Sequence, residues 1–475
     1  MITRRTFLKT TGLATAGLAL GSMNGLRSMS ASGAARVAGA NDKVNLACVG
    51  IGNRGAEIIN EFDKTGLANI VALCDVDLGA PHTQAMISKF PNAKQFKDFR
   101  EMFDKMGNEI EAVSIAIPDF SHFSVAMLAL SLGKHVYVEK PMARTFYEAE
   151  LMIEAAKKRI NVVTQVGNQG HSEANYFQFK AWKEAGIIKN VTEVTAHMNA
   201  DRRWYSWDSN MSSYPYSRPV PPTLDWDLWL TTAMYHGYNE KYHPGNWRSW
   251  YDFGMGVLGD WGAHILDTIH EFLDLGLPYE VNPVKIEGHN DYIFPKASTL
   301  LFRFPKRGKM PPLDITWYEG LNNIPTVPEG YGTSDTNPNI PSVGGGKLQP
   351  SKLNPGKIIY SKELTFKGGS HGSTLSIIPK EKAEAMESKL PPVPESPSNH
   401  FANFLLACQG KEKTRSPFEI HGPLSQLFSL GVIAQRLNMK ILFDRKTKQI
   451  TNNAYANAML TQIPPRSGWE GFYKL

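Results

Sequence analysis

Four short segments of this chain carry residue types that can do chemistry at useful spacings. Gly50-Ile51-Gly52-Asn53-Arg54-Gly55 places three glycines as a pyrophosphate-cradling loop needs them. Asp75 follows Gly55 by twenty residues. Lys140 stands between Glu139 and Pro141. Asp260 precedes His264 by four residues, which puts both on one face of a helix. An amine, a carboxylate and an imidazole brought together can bind an alcohol oxygen, stabilise negative charge developing on it and remove its proton. His264 suits the base best, because an imidazole titrates near neutral pH. The residues alone leave open whether Lys140 or His264 takes the proton first. Asp260 can orient either one or hold a neighbouring hydroxyl, and a helix N-cap after Gly259 is an equal reading. For His264 the competing reading is a buried structural histidine.

These groups need elements to hold them. Val44–Ile51 is an apolar run that ends in the glycine loop, and 56–62 reads as a helix. A second run, Ile70–Cys74, ends at Asp75. Further strands are expected over Glu111–Pro118, His135–Lys140 and Asn161–Gly167, with helices at His122–Leu132 and Thr145–Lys158. Continuous apolar strands alternating with helices indicate a parallel sheet buried on both faces, of about six strands by residue 167. In such a sheet a lysine ending a strand points into the ligand crevice.

The glycine loop, set in a strand–turn–helix unit, indicates a dinucleotide site. Gly50 permits the turn, Gly52 the approach to pyrophosphate and Gly55 close helix–strand packing. Asn53 and Arg54 complete the loop, and Pro118, His122, Glu139 and Lys140 are expected to contact the cofactor. For His122, capping its helix is the even alternative. A carboxylate at Asp75 binds ribose hydroxyls and repels a 2′-phosphate, so NAD is favoured over NADP.

Beyond residue 167 the character changes. Residues 201–261 are dense in Trp and Tyr, including Trp204, Tyr205, Trp207, Trp226, Trp229, Trp247 and Trp261. Flat rings suit pyranose faces, though about half should be core or subunit interface. Gln169, His171, Arg248, Tyr251 and Trp261 are the candidate substrate contacts, with a turn, a salt bridge or packing as competing roles. Strands are expected at Val284–His289, Ala297–Phe304 and Leu313–Tyr318, and a long loop over 320–356. Helices follow at Asn399–Cys408 and Ser425–Leu437, then a mostly irregular tail from Phe443.

With the glycine loop, Glu139-Lys140-Pro141, Asp260-x-x-x-His264 and the late helix around Pro423–Leu437, the sequence resembles the glucose–fructose oxidoreductase, inositol dehydrogenase and MocA family over roughly 42–475. The resemblance implies an α/β fold. Its first part is a Rossmann domain with a doubly wound parallel sheet, here 41–167. Its second part is an α/β domain with a large open, mostly antiparallel sheet that often forms subunit contacts, here 168–445, followed by a tail over 446–475. It implies Lys140, Asp260 and His264 as the catalytic set and a homo-oligomer, dimer or tetramer. Leu224-Asp225-Trp226-Asp227-Leu228-Trp229-Leu230, Trp247-Arg248 and Gly468-Trp469-Glu470 are similar to a secreted sub-branch common in glycan-degrading bacteria.

Charge and composition narrow the role. The net charge of +6 is concentrated at the start: residues 1–40 hold Arg4, Arg5, Lys9, Arg27 and Arg36 and no acid. The remaining 46 basic and 45 acidic residues nearly cancel, which gives no electrostatic case for nucleic acid or an anionic membrane. Thr3-Arg4-Arg5-Thr6-Phe7-Leu8-Lys9, a short apolar run and small residues to Ala40 look like a twin-arginine signal, so export in the folded state to the periplasm is expected. That run is too short to span a bilayer. NAD must then be loaded before export and held tightly. The three cysteines form no CxxC pair, and no metal is expected. The resulting expectation is an NAD-dependent dehydrogenase that oxidises a secondary hydroxyl of a sugar or glycoside, C3 above all, with a separate lyase acting on the keto-glycoside. The alternative is a glycosidase that oxidises C3 transiently with NAD and eliminates the aglycone.

Overall fold

The computed structural model describes residues 43–199, 210–332, 353–461 and 464–475. The expected signal, Trp204, Tyr205 and Trp207 lie outside these residues.

The first sheet is wholly parallel. Its strands are β1 (Val44–Val49), β2 (Ala68–Cys74), β3 (Lys94–Phe96), β4 (Ala112–Ile115), β5 (His135–Val138) and β6 (Thr164–Val166), in the order β3-β2-β1-β4-β5-β6. This is the order of a doubly wound dinucleotide-binding sheet, with the switch point between β1 and β4. β4 and β6 are buried at every position, and β1 and β5 at all but one, as strands covered by helices on both faces must be. Helix α1 (Arg54–Lys64) follows the glycine loop, and α2 (Pro81–Lys89) and α3 (Phe99–Met106) flank the short β3. Helix α4 (His122–Ser131) precedes β5, and α5 (Phe146–Lys158) opens with a capping box between Thr145 and Glu148. The segment holding α2, β3 and α3 lacks a long apolar run, and the sequence pattern gave no assignment there.

The second sheet has nine strands and is mostly antiparallel. After α6 (Ala174–Glu184), β7 (Val191–Met198) enters it. Helices α7 (Trp226–Leu230), α8 (Gly256–Ile265) and α9 (Asp267–Phe272) then precede β8 (Glu280–Glu287), β9 (Ala297–Phe304) and β10 (Leu313–Glu319). Strands β11 (Gly356–Ser361), β12 (Thr365–Gly368) and β13 (Leu375–Ile378) extend one side, and β14 (Ile441–Asp444) and β15 (Gln449–Ile450) the other. The order is β13-β12-β11-β7-β10-β9-β8-β14-β15, with β7 and β10 parallel. One face is covered by α8 and by the long helix over Phe418–Leu437.

Helices α10 (Lys380–Met386), α11 (His400–Cys408), α12 (Phe418–Leu437) and α13 (Ala454–Thr461) complete the chain. α12 joins the two halves: it lies against α5 and against α8, and Gln426 donates to Glu150 at 2.6 Å. It begins seven residues before the expected start, with Pro423 inside its first turns. The tail expected to be irregular instead forms β14, β15 and α13. Ile441, Phe443, Ile450 and Leu460 are buried in the second core, and Trp469 and Phe472 against the first. Asp260 does not cap a helix: α8 begins at Gly256, so Asp260 sits in its second turn.

Candidate active site

The dinucleotide groove is built where β1 ends. Gly50 takes φ +82°, and a side chain there would strike the Ala116 carbonyl, while one at Gly55 would strike the Gly50 carbonyl. The Gly50 N–H donates to the Cys74 carbonyl at 2.8 Å, and the Gly55 N–H to the Gly52 carbonyl at 2.9 Å. A cleft of about 400 Å³ runs along this loop. Nine of the ten expected cofactor contacts line it: Gly50, Gly52, Asn53, Arg54, Asp75, Pro118, His122, Glu139 and Lys140. Gly55 is outside the lining and acts by letting α1 approach the strand.

Each lining group is held by its neighbours. Asp75 accepts from the Ile51 and Asp77 N–H groups, both at 3.0 Å. Burial raises its carboxyl above the ordinary range against the pull of these donors. Arg54 pairs with Glu57 at 2.9 Å and Glu139 at 3.5 Å. Glu139 accepts from the Tyr137 hydroxyl at 3.1 Å and from Gln169 Nε2 at 3.3 Å. Gln169 thus supports the cofactor side and does not line the cleft. The His122 ring spans the Pro141 carbonyl at 2.9 Å and the Ile117 carbonyl at 2.8 Å, linking the ends of β4 and β5. Burial lowers its pKa to about 4. A neutral ring donates from one nitrogen only.

At the other end of the cleft the charges alternate. Lys140 Nζ donates to Asp260 Oδ1 at 2.8 Å and to the Asp260 carbonyl at 2.5 Å. Arg248 Nε lies 3.8 Å from the same Oδ1, with its guanidinium over the Trp247 ring at 4.1 Å. Asp119 lines the cleft beside them. Burial pushes its carboxyl up to about 7; Asp260 adds to this, and Arg248 and Lys140 oppose it. The lysine, aspartate and arginine, 120 residues and more apart in sequence where Lys140 meets Asp260, therefore converge where β5 ends.

The rest of the expected substrate set lies elsewhere. His264, one turn beyond Asp260, is outside the cleft lining and 5% exposed. Its ring stacks on His371, with centroids 3.7 Å apart and planes at 22°. Burial lowers its pKa well below the ordinary value, helped by His371, Lys140, Arg54 and His421. Tyr251 is buried against Phe294 and under the Arg436 guanidinium, because its ring completes the second core. His171 is buried between the Arg415 carbonyl at 3.1 Å and the Glu271 carboxylate at 3.3 Å, a polar bridge between α9 and the loop before α12. Trp261 is buried with its ring against the edge of His371. Arg248 alone of the five substrate candidates lines the cleft.

Most of the described aromatics in the 201–261 stretch pack on one another. Trp226, Trp229, Tyr238, Tyr242, Trp247 and Trp250 form one apolar cluster with Phe120, which comes from the first half of the chain. Trp226 and Trp229 stack with centroids 4.4 Å apart. The same stretch of chain walls the dinucleotide cleft through Leu228, Trp229, Thr231, His243 and Trp247. Lys97 and His82 also reach the cleft. No local motif announces these residues; only the fold brings them there.

A glycine-loop cleft in a doubly wound sheet, ending at a lysine–aspartate pair, defines an NAD-binding oxidoreductase. The chain belongs to the glucose–fructose oxidoreductase, inositol dehydrogenase and MocA family. Residues 44–167 match that family's model described as "Oxidoreductase family, NAD-binding Rossmann fold", and 178–300 its C-terminal alpha/beta domain. An inositol 2-dehydrogenase of Salmonella typhimurium is 30% identical over 155 residues, 32% of this chain and 45% of that protein. A glycosyl hydrolase family 109 protein of Streptomyces niveus is 25% identical over 193 residues, 39% and 38% respectively. The chain spans about half the length of the curated relatives it matches. Among solved structures, the WlbA dehydrogenase of Bordetella pertussis with NADH and UDP-GlcNAcA is similar in fold. Its TM-score is 0.55 at 15% identity, over 85% of this chain and 99% of that one.

Proposed function

We propose that the protein is an NAD-dependent dehydrogenase that oxidises a secondary hydroxyl, at C3 of a glucose-like ring, and leaves a keto-glycoside with its glycosidic bond intact. The observation that carries this reading is the Lys140–Asp260–Arg248 cluster at the end of a cleft whose residues fit a dinucleotide. Gly50, Gly52 and Asn53 would hold the pyrophosphate and Asp75 a ribose, while NAD, when bound, supplies the hydride acceptor. An ammonium has three N–H donors. Two of Lys140's engage Asp260, which leaves one for the substrate oxygen, where it stabilises developing alkoxide charge. With Lys140 held as a donor, the hydroxyl proton passes to His264, one turn beyond Asp260 and kept neutral by burial. Arg248 holds a neighbouring sugar hydroxyl.

The rest of the reading follows from where such an enzyme works. The amino-terminal segment supports export by the twin-arginine route to the periplasm, with NAD loaded beforehand and retained. The aromatic wall over the cleft supports that retention. The open sheet supports a dimer or tetramer, and a separate lyase would consume the product.

A second reading is a glycosidase that uses NAD transiently, supported by the likeness to family 109 glycosyl hydrolases. Pure enzyme, a nitrophenyl glycoside and a hydride acceptor separate the two. Accumulation of keto-glycoside with little nitrophenol is expected. Redox-neutral release of nitrophenol without an acceptor would establish the glycosidase instead.

A further inference from the structure

The last turn of α8 carries His264, and three other elements hold it by three consecutive carbonyls. Asn168 Nδ2 donates to the Ala263 carbonyl at 2.9 Å. The His371 N–H donates to the His264 carbonyl at 3.3 Å. The buried Lys357 amine donates to the Ile265 carbonyl at 2.9 Å. Helix ends leave such carbonyls without intrahelical partners, and distant elements rarely meet all of them in a row.

His371 does more than donate its N–H. It lies in the turn between β12 and β13, within Gly368-Gly369-Ser370-His371-Gly372-Ser373. Its φ is +49°, in the left-handed region that residues with a side chain seldom adopt, and Gly372 follows at φ +88°. A side chain at Gly372 would run into the Glu173 carboxylate, so the turn is seated tightly. This backbone sets the imidazole face to face with His264, at 3.7 Å between centroids, and edge-on to Trp261 at 4.9 Å. Nδ1 of His371 meets the Ser370 hydroxyl at 3.0 Å, which fixes its ring. Nδ1 of His264 is buried without a hydrogen-bond partner among the described residues. With no polar contact at Nδ1 to fix its plane, the ring is restrained by the stack on His371.

We propose that His371 is a positioning residue: it holds the His264 ring, by face-to-face stacking and by capping the helix that carries it, in the orientation needed to accept the substrate's proton. This rests on the dehydrogenase reading above. The charged and titratable groups that face His264 are His371 from the β12–β13 turn, Lys140 after β5, Arg54 on α1 and His421 on α12, with Asp260 on its own helix. Besides His371 itself, Lys140 and Arg54 carry positive charge and His421 can, so a neutral ring at 371 matters to a base that must become charged.

The test compares full-length His371→Ala, His371→Phe and His264→Ala, each purified and its NAD content measured after denaturation. His371→Phe keeps a flat face and removes the imidazole nitrogens. In His371→Ala, kcat should fall about tenfold or more with KM within about twofold, as expected for a misplaced base. His371→Phe should recover kcat to within about threefold of wild type. A readout independent of turnover is the ¹⁵N spectrum of histidine-labelled protein. The His264 signal, assigned by its loss in His264→Ala, should report one tautomer in wild type and His371→Phe and an averaged state in His371→Ala. Wild-type kcat in His371→Ala, or equal damage in both 371 variants, overturns the proposal. Should His371→Ala lose its NAD and fold, the Phe variant still decides: a kcat tenfold or more below wild type overturns the proposal. Unchanged turnover in His264→Ala would remove His264 as the proton acceptor and overturn the proposal with it, while no oxidation by the wild-type protein would overturn the dehydrogenase reading.

Discussion

At the scale of single residues, the site is a set of charges whose positions fix what each can do. Asp260 holds the Lys140 amine by two contacts and faces Arg248 as well. Replacing Lys140 with Ala removes the donor aimed at the reacting oxygen, so turnover should fall roughly a hundredfold. Equal turnover in both proteins would remove Lys140 from the chemistry. Asp75→Ala should cost roughly 1–3 kcal/mol of preference for NAD over NADP, read from the two dissociation constants. Asp119 yields a prediction of a different kind. Its folded pKa, about 7, lies above the ordinary carboxyl value of 3.8. The fold therefore binds a proton that the unfolded chain has released, and stability is lost as pH rises from about 4 through about 7. By linkage the loss amounts to roughly 4 kcal/mol at most. Asp119→Asn should remove it. Melting at pH 8 should then occur at a higher temperature in the variant than in wild type, and the two should converge near pH 4.5. A variant less stable at pH 8 would show that the charged form is favoured.

At the scale of elements, the parallel sheet was legible in the sequence and much of the substrate side was not, for physical reasons. Strands buried on both faces write themselves as continuous apolar runs, and the glycine loop and Asp75 sit at their ends, so β1, β2, β4 and β5 and most cofactor contacts could be read from local pattern. Strand β3 is three residues long at a sheet edge and carries one buried side chain, which leaves no periodic signal. His371 sits in a turn of small residues and becomes relevant only because β12 and β13 fold beside α8. Tyr251 is a candidate for sugar hydroxyls and His171 for the cleft because it follows the sixth strand, yet the second core takes Tyr251, and Arg415 and Glu271 take His171. The same holds for the Trp-rich stretch. The rings of Trp226, Trp229 and Trp247 share one cluster with Phe120, on which Trp229 packs, so the segment roofs the cleft as one body. Trp229 is 3% exposed and lines the cleft, so Trp229→Ala should cost roughly 3–5 kcal/mol of stability through the cavity it leaves. It should also shorten the half-time of NAD release at least tenfold. Dilution into a large excess of labelled NAD measures that exchange, and an unchanged half-time with a clear loss of stability would mean that the roof stabilises the fold without retaining the cofactor.

At the scale of the whole molecule, its histidines set how it responds to acid. Nine of them, His122, His135, His197, His243, His264, His270, His371, His400 and His421, have pKa values lowered by burial. They are neutral in the fold and titrate near 6.5 in the unfolded chain. The sign follows from linkage: below pH 6.5 the unfolded chain takes up protons that the folded chain refuses, so stability falls as pH falls, and continues to fall until the folded pKa values are reached. Asp75, Asp119, Glu271, Asp314 and Glu319, whose carboxyls burial raises, work in the opposite direction and gain stability as pH falls, but they are five groups against nine. Each histidine contributes up to about 1.4 kcal/mol per pH unit, so several acting together exceed the roughly 5–15 kcal/mol that holds an ordinary domain folded. The protein should therefore be most stable above neutrality and should lose its cooperative melting transition between about pH 6 and pH 4.5. Calorimetry or circular dichroism in steps of half a pH unit, with NAD content followed in parallel, measures this. Replacing His270 by Gln keeps a hydrogen-bond donor for the Gly276 carbonyl, which the ring contacts at 2.9 Å, and removes one titrating group. That variant should hold its transition to a lower pH than wild type. A melting temperature that is flat or rising from pH 7 to pH 5 would mean that these imidazoles are charged in the fold, and the neutral His264 required of a proton acceptor would be lost with them.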